Sequence, residues 1–555
     1  MRKSVKQQLA LRVLSTAALM AMVSSIATAA FADTYDLNKG SVTVKTKDDG
    51  ITYVTQENTE ITDHQDNTGV TITSNGEKTS NTITVETAKD QTTDVTLENV
   101  HIEVNTTDAK SGAIEIKGDG DTNLELNGDN TVMVKNGWEE EHAAIEKADK
   151  YGKEGTLTIK DDVNDDGSEK GTDKDTTGTL LAGGYHEAAA IGGGAGDLGD
   201  TSNITITGGE ITAIGGCDGG SGIGGGGRPG GIGKNIRIEG NAHVTAFGAE
   251  GAAIGGSHTG GNSITITDHA VVDAYGAWGS AIGDGGLTSG WEKNPATTIT
   301  ISGNATVKAE TTEMSSAIGA GQHGSSGDLT INIEENAKVT AIGTFDSPAI
   351  GNRSCRGGTT TINITGGTVN AINSFGSNYD PSFDGTGDTR PAIGAKIDSV
   401  DSGTCNVNIN SSTGDTVVNA YIYGKGSGPA VGSTTPSYNN ITHNYENQYV
   451  PADSASYKAD GSSYFGESNS AIVNCYNNGT VSKEKFEMPR TLDRTASYYH
   501  PYRHTITGGT LTKVVHNRTY MDENPNIDTS DLKDEDLHDW KLVGEVVEPT
   551  TEKDG

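Results

Sequence analysis

The chain has little of what an ordinary soluble protein uses to build its core. Of its 555 residues, 32% are hydrophobic and 5% are aromatic, whereas a typical domain is ~45–50% apolar when glycine is included. Proline is scarce at 12 residues, and the 76 glycines do not recur at every third position, which excludes a collagen triple helix. Basic residues are also few: 40 Lys and Arg face 75 Asp and Glu, and the net charge of −35 argues against a nucleic-acid partner.

Cysteine and long apolar runs are rare as well. The chain has four cysteines, at Cys217, Cys355, Cys405 and Cys475. An even number permits disulfides in an exported protein, but four in 555 residues are too few for a disulfide framework. We interpret them as buried or incidental thiols. After the N-terminus, no segment is apolar over enough residues to predict a transmembrane helix.

The N-terminus has the pattern of a secretory signal peptide. A basic segment comes first, an apolar stretch from Val13 to Ile26 follows, and small residues then lead to Ala32. The apolar stretch is shorter than a comfortable membrane span. The pattern predicts cleavage after Ala32, with Ala29 as the alternative, and therefore a secreted, extracellular product for which cell-wall association is an option.

A short phrase recurs along the chain: a small residue, then Ile or Val, and usually Gly. Its clear copies are Ala113-Ile114, Ala144-Ile145, Ala190-Ile191-Gly192, Gly222-Ile223-Gly224, Ala253-Ile254-Gly255, Ala281-Ile282-Gly283, Ala317-Ile318-Gly319, Ala349-Ile350-Gly351, Ala392-Ile393-Gly394 and Ala430-Val431-Gly432. The shorter intervals lie between 28 and 32 residues, and the longer ones contain polar insertions. Such a period indicates a solenoid, a propeller or another repeat array.

Between copies of the phrase, apolar and polar residues alternate. Ser263–Thr267 and Thr361–Thr365 are examples, and a glycine or asparagine corner and a second short run often follow. The alternation predicts short strands with one apolar face. No segment has helical spacing, which excludes ankyrin, leucine-rich and tetratricopeptide arrays, and a propeller blade needs four longer strands.

These observations predict an all-β fold: a right-handed parallel β-helix of about 11–12 coils with a tyrosine-rich C-terminal insertion or cap. Each coil supplies two or three short strands, and stacking the coils buries inward Ile, Val and Ala in a narrow column. The right-handed form is expected because parallel crossovers prefer that hand. Coils stacked at one strand spacing, about 4.8 Å, give a rod roughly 50–60 Å long.

The glycine-rich coils carry a resemblance to a known group of proteins. Gly192-Gly193-Gly194, followed by the strand phrase Asn203–Gly209, resembles the coils of exported parallel β-helix repeat proteins of Gram-positive bacteria. The resemblance spans about residues 94–515. Several such proteins are described as carbohydrate-binding, so the resemblance implies an adhesin-like surface protein whose partner is a polysaccharide or a host or plant glycan.

Composition divides the chain into five segments. Residues 1–32 are the predicted signal peptide, and residues 33–90 are an N-terminal cap with the first coils. Residues 91–435 form the main β-helix, with a polar insertion at 161–178. Residues 436–520 hold an aromatic-rich insertion and the last coils, since 12 of the 18 tyrosines lie between Tyr421 and Tyr520. Residues 521–555 are an acidic tail or linker.

The polar insertion contains the spacing of a calcium-binding loop. Oxygen-bearing side chains stand at positions one, three, five and twelve, with glycine at position six, and the predicted ligands are Asp162, Asn164, Asp166 and Asp173. The segment resembles one loop of a dockerin, although Glu169 takes a usually apolar position and no second loop follows. We predict that it binds Ca²⁺; the alternative is a solvated acidic insertion.

Acidic and aromatic residues collect near the corners between Tyr275 and Arg390. Aromatic rings stack on the apolar faces of sugars, carboxylates accept hydrogen bonds from sugar hydroxyls, and paired carboxylates can act as acid and base in glycoside cleavage. The predicted carbohydrate-stacking residues are Tyr275, Trp278 and Tyr379. The residues predicted to hold hydroxyls, or to be catalytic if the chain is an enzyme, are Asp284, Asp346, Asp384 and Asp388. The alternative is a set of ordinary solvated loops.

Other catalytic and metal-binding motifs are absent from the sequence. His142, His258 and His323 are single corner histidines, and we do not predict a zinc-binding role for any of them. The Asn-Thr-Asp and Gly-His-Gly motifs of polygalacturonases do not occur. The leading hypothesis is a secreted or cell-surface glycan-binding, adhesin-type protein. The alternatives are a glycoside hydrolase or polysaccharide lyase, and a passive structural protein of the cell envelope.

Overall fold

The computed structural model describes most of the chain between residues 33 and 476. The described residues are 33–66, 69–105, 111–135, 141–161, 178–227, 230–286, 295–311, 315–322, 327–344, 347–355, 358–374, 391–397, 404–409, 416–423, 429–434, 450–451 and 472–476. They form strands, turns and two 3-10 turns, Leu37–Lys39 and Gly196–Leu198, with no α-helix in these ranges. Within the same ranges, no helix has the length and apolar character needed to cross a membrane.

Three long sheets contain all the strands. Sheet A has 12 strands, all parallel to their neighbours: β1 (Asp33–Asp36), β5 (Val70–Thr73), β8 (Thr92–Glu98), β11 (Asp121–Asn127), β14 (Leu157–Lys160), β17 (Thr201–Ile206), β20 (Gly233–Ile238), β23 (Ser263–Ile266), β26 (Thr297–Ile301), β29 (Leu329–Ile333), β32 (Thr359–Ile364) and β35 (Thr404–Ile409).

Sheet B has 15 strands, and most of them are very short. They are β2 (Val42–Thr46), β3 (Thr52–Gln56), β4 (His64–Gln65), β7 (Ile83–Thr87), β10 (Ile114–Lys117), β13 (Ile145–Glu146), β16 (Ile191–Gly192), β19 (Ile223–Gly224), β22 (Ile254–Gly255), β25 (Ile282–Gly283), β28 (Ile318–Gly319), β31 (Ile350–Cys355), β34 (Ile393–Ile397), β37 (Pro429–Thr434) and β38 (Val450–Pro451). The N-terminal end of this sheet is an antiparallel meander of β2, β3 and β4.

Sheet C has 12 strands. They are β6 (Lys78–Thr79), β9 (His101–Asn105), β12 (Asp129–Lys135), β15 (Thr179–Gly183), β18 (Glu210–Ile214), β21 (His243–Phe247), β24 (Val271–Gly276), β27 (Thr306–Thr311), β30 (Lys338–Thr344), β33 (Thr368–Ser374), β36 (Val417–Tyr423) and β39 (Ile472–Tyr476). From β7 to β36 the chain visits sheets B, A and C in turn, so each of these coils contributes one strand to each sheet. The predicted all-β parallel β-helix is therefore confirmed.

The core is a column of aliphatic side chains that repeats from coil to coil. On sheet A, Ile264, Ile299 and Ile331 lie in register on successive strands, and each is at most 1% exposed. On sheet C the equivalent column is Ala246, Ala274 and Ala309. Stacked β-branched residues on one side and small alanines on the other fill most of the narrow interior, which explains how the chain folds with so few aromatic residues.

The recurring phrase forms the short strands of sheet B. Its Ile points into the core, and its Gly occupies the next position, as in Ile254-Gly255 and Ile282-Gly283. Gly283 has φ +135°, and a Cβ there would overlap the carbonyl oxygen of Gly319 in the next coil. The same overlap recurs along the ladder from Gly192 to Gly394. Glycine is therefore required at this corner both by backbone conformation and by the close approach of neighbouring coils.

One ion-pair cluster on sheet C is expected to make the stability of the fold depend on pH. On β9, Glu103 pairs with Lys78 and lies 2.9 Å from Lys135 Nζ and 3.2 Å from His101 Nε2. Burial acts to raise the pKa of Glu103, but the hydrogen bonds from Lys78, Lys135 and His101 outweigh it and lower the pKa from 4.5 to about 2. A carboxyl group whose pKa is lower in the folded than in the unfolded state stabilises the fold at any pH above its unfolded-state pKa. This stabilisation is lost as the pH falls through the folded-state pKa.

We expect Glu103→Gln to lower the free energy of unfolding by about 1–2 kcal/mol at pH 7, a value reduced for solvent screening. The gap between wild type and variant should close as the pH falls from 4.5 towards 2, because the wild-type carboxylate then becomes protonated. Urea unfolding monitored by circular dichroism across this range measures it. A gap that stays constant from pH 7 to pH 2 would contradict this account of the cluster.

Candidate functional site

The outer surface of sheet A carries a regular array of uncharged polar side chains. We call it the Thr/Asn face; it comprises Ser263, Thr265, Thr298, Thr300, Thr330, Asn332, Thr361, Asn363, Asn406 and Asn408. Its members lie on β23, β26, β29, β32 and β35, two to a strand, and all are partly or fully exposed. They are the outward partners of the inward Ile and Val residues on the same strands, because successive side chains of a strand point to opposite faces.

Register fixes the spacing of this array. Thr265, Thr300 and Asn332 are direct partners on successive parallel strands, and Ser263, Thr298 and Thr330 form the second column. Strands lie about 4.8 Å apart, and residues two positions apart on one strand are separated by about 6.6 Å. The face is therefore a two-column lattice of hydrogen-bonding groups that runs along the axis of the β-helix over five coils.

Hydrogen bonds hold the amide part of the array in place. Asn363 Nδ2 donates to Asn332 Oδ1 at 2.8 Å, and Asn408 Nδ2 donates to Asn363 Oδ1 at 2.7 Å. Asn363 thus acts as donor towards one coil and acceptor towards the next. A ladder of this kind orders the side chains before any ligand arrives, which lowers the entropy lost on binding.

The outer surface of sheet C differs in charge. The equivalent column on sheet C contains Asp273 and Lys308, which are direct partners on β24 and β27. Lys338 lies at the start of the next strand, β30. Burial raises the pKa of Asp273, and Lys308 and His243 act to lower it. In a chain of net charge −35, the charge-free stretch on sheet A is thus a local feature rather than the general composition of the surface.

The structure places Tyr275 inside the molecule rather than on a corner surface. Its side chain is 8% exposed, and its ring stacks on Phe247 with centroids 5.1 Å apart and planes 13° from parallel. Lys308 Nζ lies 5.2 Å from the ring centroid and donates to the Tyr275 hydroxyl at 3.2 Å. Burial, followed by the charges of Asp273 and Glu310, raises the pKa of Tyr275 well above its usual value. We do not include Tyr275 in the candidate site.

Asp284 is likewise 1% exposed and is bonded to the protein itself. Its Oδ1 accepts from Thr297 Oγ1 at 2.6 Å and from Asn262 Nδ2 at 2.9 Å, and its backbone carbonyl accepts from Ser280. These bonds tie the corner after β25 to β26. Trp278 is half-buried, on the corner before β25. Asp284 and Trp278 therefore lie at opposite ends of one short strand, and only Trp278 has a partly exposed side chain.

The remaining predicted site residues lie outside the described part of the chain. They are Tyr379, Asp346, Asp384 and Asp388, together with the calcium-loop residues Asp162, Asn164, Asp166 and Asp173. The tyrosine-rich segment at 436–520 is also outside it except for residues 450–451 and 472–476. These assignments stay predictions.

A buried Ser-His-Glu chain joins the two corners flanking β22. Ser257 Oγ lies 2.8 Å from His258 Nδ1, and His258 Nε2 lies 3.2 Å from Glu250 Oε2. The order of groups resembles that of a nucleophilic hydrolase. However, all three residues are at most 4% exposed, and Ser257 Oγ also donates to the carbonyl of Gly227. The arrangement gives a substrate no access to the hydroxyl and instead ties together the segments around Gly227, Glu250 and Ser257.

Two groups of His and carboxylate side chains could hold a metal ion within the described ranges. One is Glu115, His142 and Glu146, all buried; the other is the half-buried group His186, Glu187 and Asp218. His186 lies 2.6 Å from Glu141 Oε1 and 3.4 Å from Asp218 Oδ2. Burial acts to lower the pKa of His186, but Glu141 and Asp218 outweigh it and raise the pKa. The fold thus brings His142, interpreted from the sequence as a single corner histidine, together with Glu115 and Glu146.

Comparison with protein-family models, curated proteins and solved structures finds no match to the chain. Its function must therefore be argued from its own surface. The sequence predicts a site at the corners and does not single out the Thr/Asn face. The signal was present in the repeated Ile-Thr-Ile and Ile-Asn-Ile strands, whose outward positions hold only hydroxyl and amide groups from Ser263 to Asn408.

Proposed function

We propose that the chain binds a neutral polysaccharide lengthwise along the Thr/Asn face. The observation that carries the proposal is the array itself: ten outward hydroxyl and amide side chains on five consecutive coils, in register and without a charge. A polysaccharide presents hydroxyl groups at regular intervals, and each hydroxyl both donates and accepts. Ser, Thr and Asn side chains do the same, so a periodic face suits a periodic ligand.

Charge selects the class of glycan. The chain carries a net charge of −35, which repels polyanions such as uronates at long range. The ten residues of the face include no carboxylate, and Asp328 and Glu334 flank them at the two ends of β29. A neutral sugar lying over these ten residues displaces only water bound to hydroxyl and amide groups. A neutral glycan is therefore the ligand that both the global and the local charge favour.

From the pattern of residues 1–32 we propose that the chain is exported and acts at the cell surface as an adhesin-type protein, the role that its resemblance to Gram-positive β-helix proteins suggests. A rod of stacked coils supports this role, because it presents one long face to an extended ligand.

A charge placed on the face tests the proposal. We expect Thr300→Glu to weaken retention of the mature chain on a neutral polysaccharide by about tenfold, equivalent to ~1.4 kcal/mol, because the new carboxylate must lose water beside an uncharged ligand. Thr340→Glu is the matched control, since Thr340 occupies an outward, half-buried position on sheet C. Affinity electrophoresis in gels containing neutral or uronate polysaccharides measures both variants.

Three outcomes of this experiment would overturn the proposal: no binding to any neutral polysaccharide, equal loss in both variants, or no loss in Thr300→Glu. Trp278→Ala distinguishes the Thr/Asn face from the corner site predicted from the sequence. If the sugar binds at the corner, Trp278→Ala alone should lose retention on the polysaccharide. Release of shortened sugars by the wild-type chain would support the glycoside hydrolase or lyase alternative instead.

A further inference from the structure

Two glutamates are direct neighbours on sheet B, at the ladder position that glycine occupies in later coils. Glu115 on β10 and Glu146 on β13 are direct partners in the parallel ladder. The same ladder position holds Thr43 and Thr84 in the preceding strands and Gly192 in the next one. Like charges placed directly opposite each other on neighbouring strands destabilise a sheet unless another charge intervenes. The pair therefore needs a compensating group.

A histidine completes the arrangement. His142 precedes β13, and its Nδ1 lies 2.9 Å from one carboxylate oxygen of Glu146 and 3.1 Å from the other. Ligand atoms of Glu115, His142 and Glu146 all lie within 4.8 Å of one another. The three residues are 5%, 4% and 0% exposed. One imidazole nitrogen and two carboxylates, held together away from solvent, are a donor set that suits a divalent transition metal.

The backbone of the next coil covers this group. A Cβ at Gly194 would come 2.9 Å from Glu146 Oε2 and 2.7 Å from the carbonyl oxygen of Glu141, so a side chain there would press on the carboxylate. The amide of Ala143 donates to Glu146 Oε2 at 3.0 Å and fixes that carboxylate from the other direction. The carboxylate of Glu146 is thus held in place from both sides.

The charges around the group leave room for a cation. Lys117 Nζ lies 2.7 Å from Glu115 Oε2, and its side chain is 32% exposed, so it can turn towards solvent when a stronger partner binds. Two carboxylates and a neutral imidazole balance one divalent ion. Imidazole is a poor ligand for calcium, which prefers oxygen, and a common one for zinc.

We propose that Glu115, His142 and Glu146 bind one divalent transition metal ion of the zinc type, which ties β10 to β13 and fixes the corner before β13. The site is independent of the glycan proposal, because it lies on sheet B in early coils and the Thr/Asn face lies on sheet A in later ones. It shares no residue with the predicted calcium loop at residues 162–173.

The test is zinc binding by the mature chain after treatment with a chelator. We expect about one equivalent of tightly held zinc, in the presence of excess calcium, and a rise in melting temperature of several degrees, because an ion that binds only the folded state stabilises it. Glu115→Gln and Glu146→Gln keep side-chain shape and should each abolish the rise. Glu187→Gln, in the half-buried His186 group, is the matched control and should keep it.

Cobalt substitution provides a second readout, which does not depend on stability. Visible absorption of the cobalt-loaded chain should disappear in Glu115→Gln and persist in Glu187→Gln. Absence of zinc binding in a folded wild-type chain, or binding that survives both Glu115→Gln and Glu146→Gln, would overturn the proposal. Binding lost only in Glu187→Gln would assign the ion to His186, Glu187 and Asp218 and would equally exclude our site.

Discussion

Gly283→Ala is expected to lower the free energy of unfolding by about 3–5 kcal/mol, a large loss for a single methyl group. The residue has φ +135°, a conformation that costs a non-glycine residue about 1–3 kcal/mol. The added Cβ would also overlap the carbonyl oxygen of Gly319. The two coils cannot move apart without breaking the parallel hydrogen bonds between β25 and β28. Thermal unfolding followed by circular dichroism measures the loss.

Gly76→Ala is the matched control for this prediction. Gly76 also has positive φ, at +72°, but a Cβ there would meet nothing within 4 Å. Gly76→Ala should therefore lower the free energy of unfolding by only about 1 kcal/mol, the cost of placing alanine in a positive-φ backbone conformation. If the two substitutions lowered the melting temperature equally, the close stacking of glycines on sheet B would not be what requires them.

Ile318→Asp is expected to cost a similar or larger amount, about 4–5 kcal/mol or complete loss of folding. Ile318 is fully buried and lies in register between Ile282 and Ile350. A carboxylate there would enter a narrow aliphatic column without a charged partner, so it must either stay ionised at high cost or take up a proton. Melting curves at pH 5 and pH 8 would show the larger loss at pH 8, where ionisation is harder to avoid.

Thr340→Asp gives the comparison for the core prediction. Thr340 is an outward residue on β30, between Val339 and Ala341. Thr340→Asp should change the free energy of unfolding by less than about 1 kcal/mol, since a carboxylate at this half-buried, outward position can still reach water. An equally mild effect of Ile318→Asp would mean that the phrase residues do not form the core column.

The fold was predictable because one physical requirement repeats in every coil. Ile254 and its equivalents must point inward, and the following glycine must allow the next coil to approach, so the phrase Ala253-Ile254-Gly255 appears again and again. Alternation in segments such as Ser263–Thr267 identified the strands of sheet A for the same reason. Because every coil has the same packing requirement, the same short sequence recurs, and its period along the chain reveals the solenoid.

The sites were harder to predict because they depend on register between coils. The sequence predicts that Asp284 is an exposed acidic residue at a corner, but in the fold it is buried and hydrogen-bonded to Thr297 and Asn262. Conversely, Glu115 and Glu146 stand 31 residues apart and become direct partners only when the coils stack. Their signal was that both copies of the phrase replace glycine with glutamate, a departure whose consequence shows only in three dimensions.

A crystal structure of the mature chain with a neutral oligosaccharide bound would test the central claim most directly. We predict that the sugar lies along sheet A, parallel to the axis of the β-helix, with its hydroxyls hydrogen-bonded to Thr265, Thr300 and Asn332 and to their neighbours on the Thr/Asn face. A sugar bound instead at the corner near Trp278, on sheet C, or outside the five coils from β23 to β35 would contradict it.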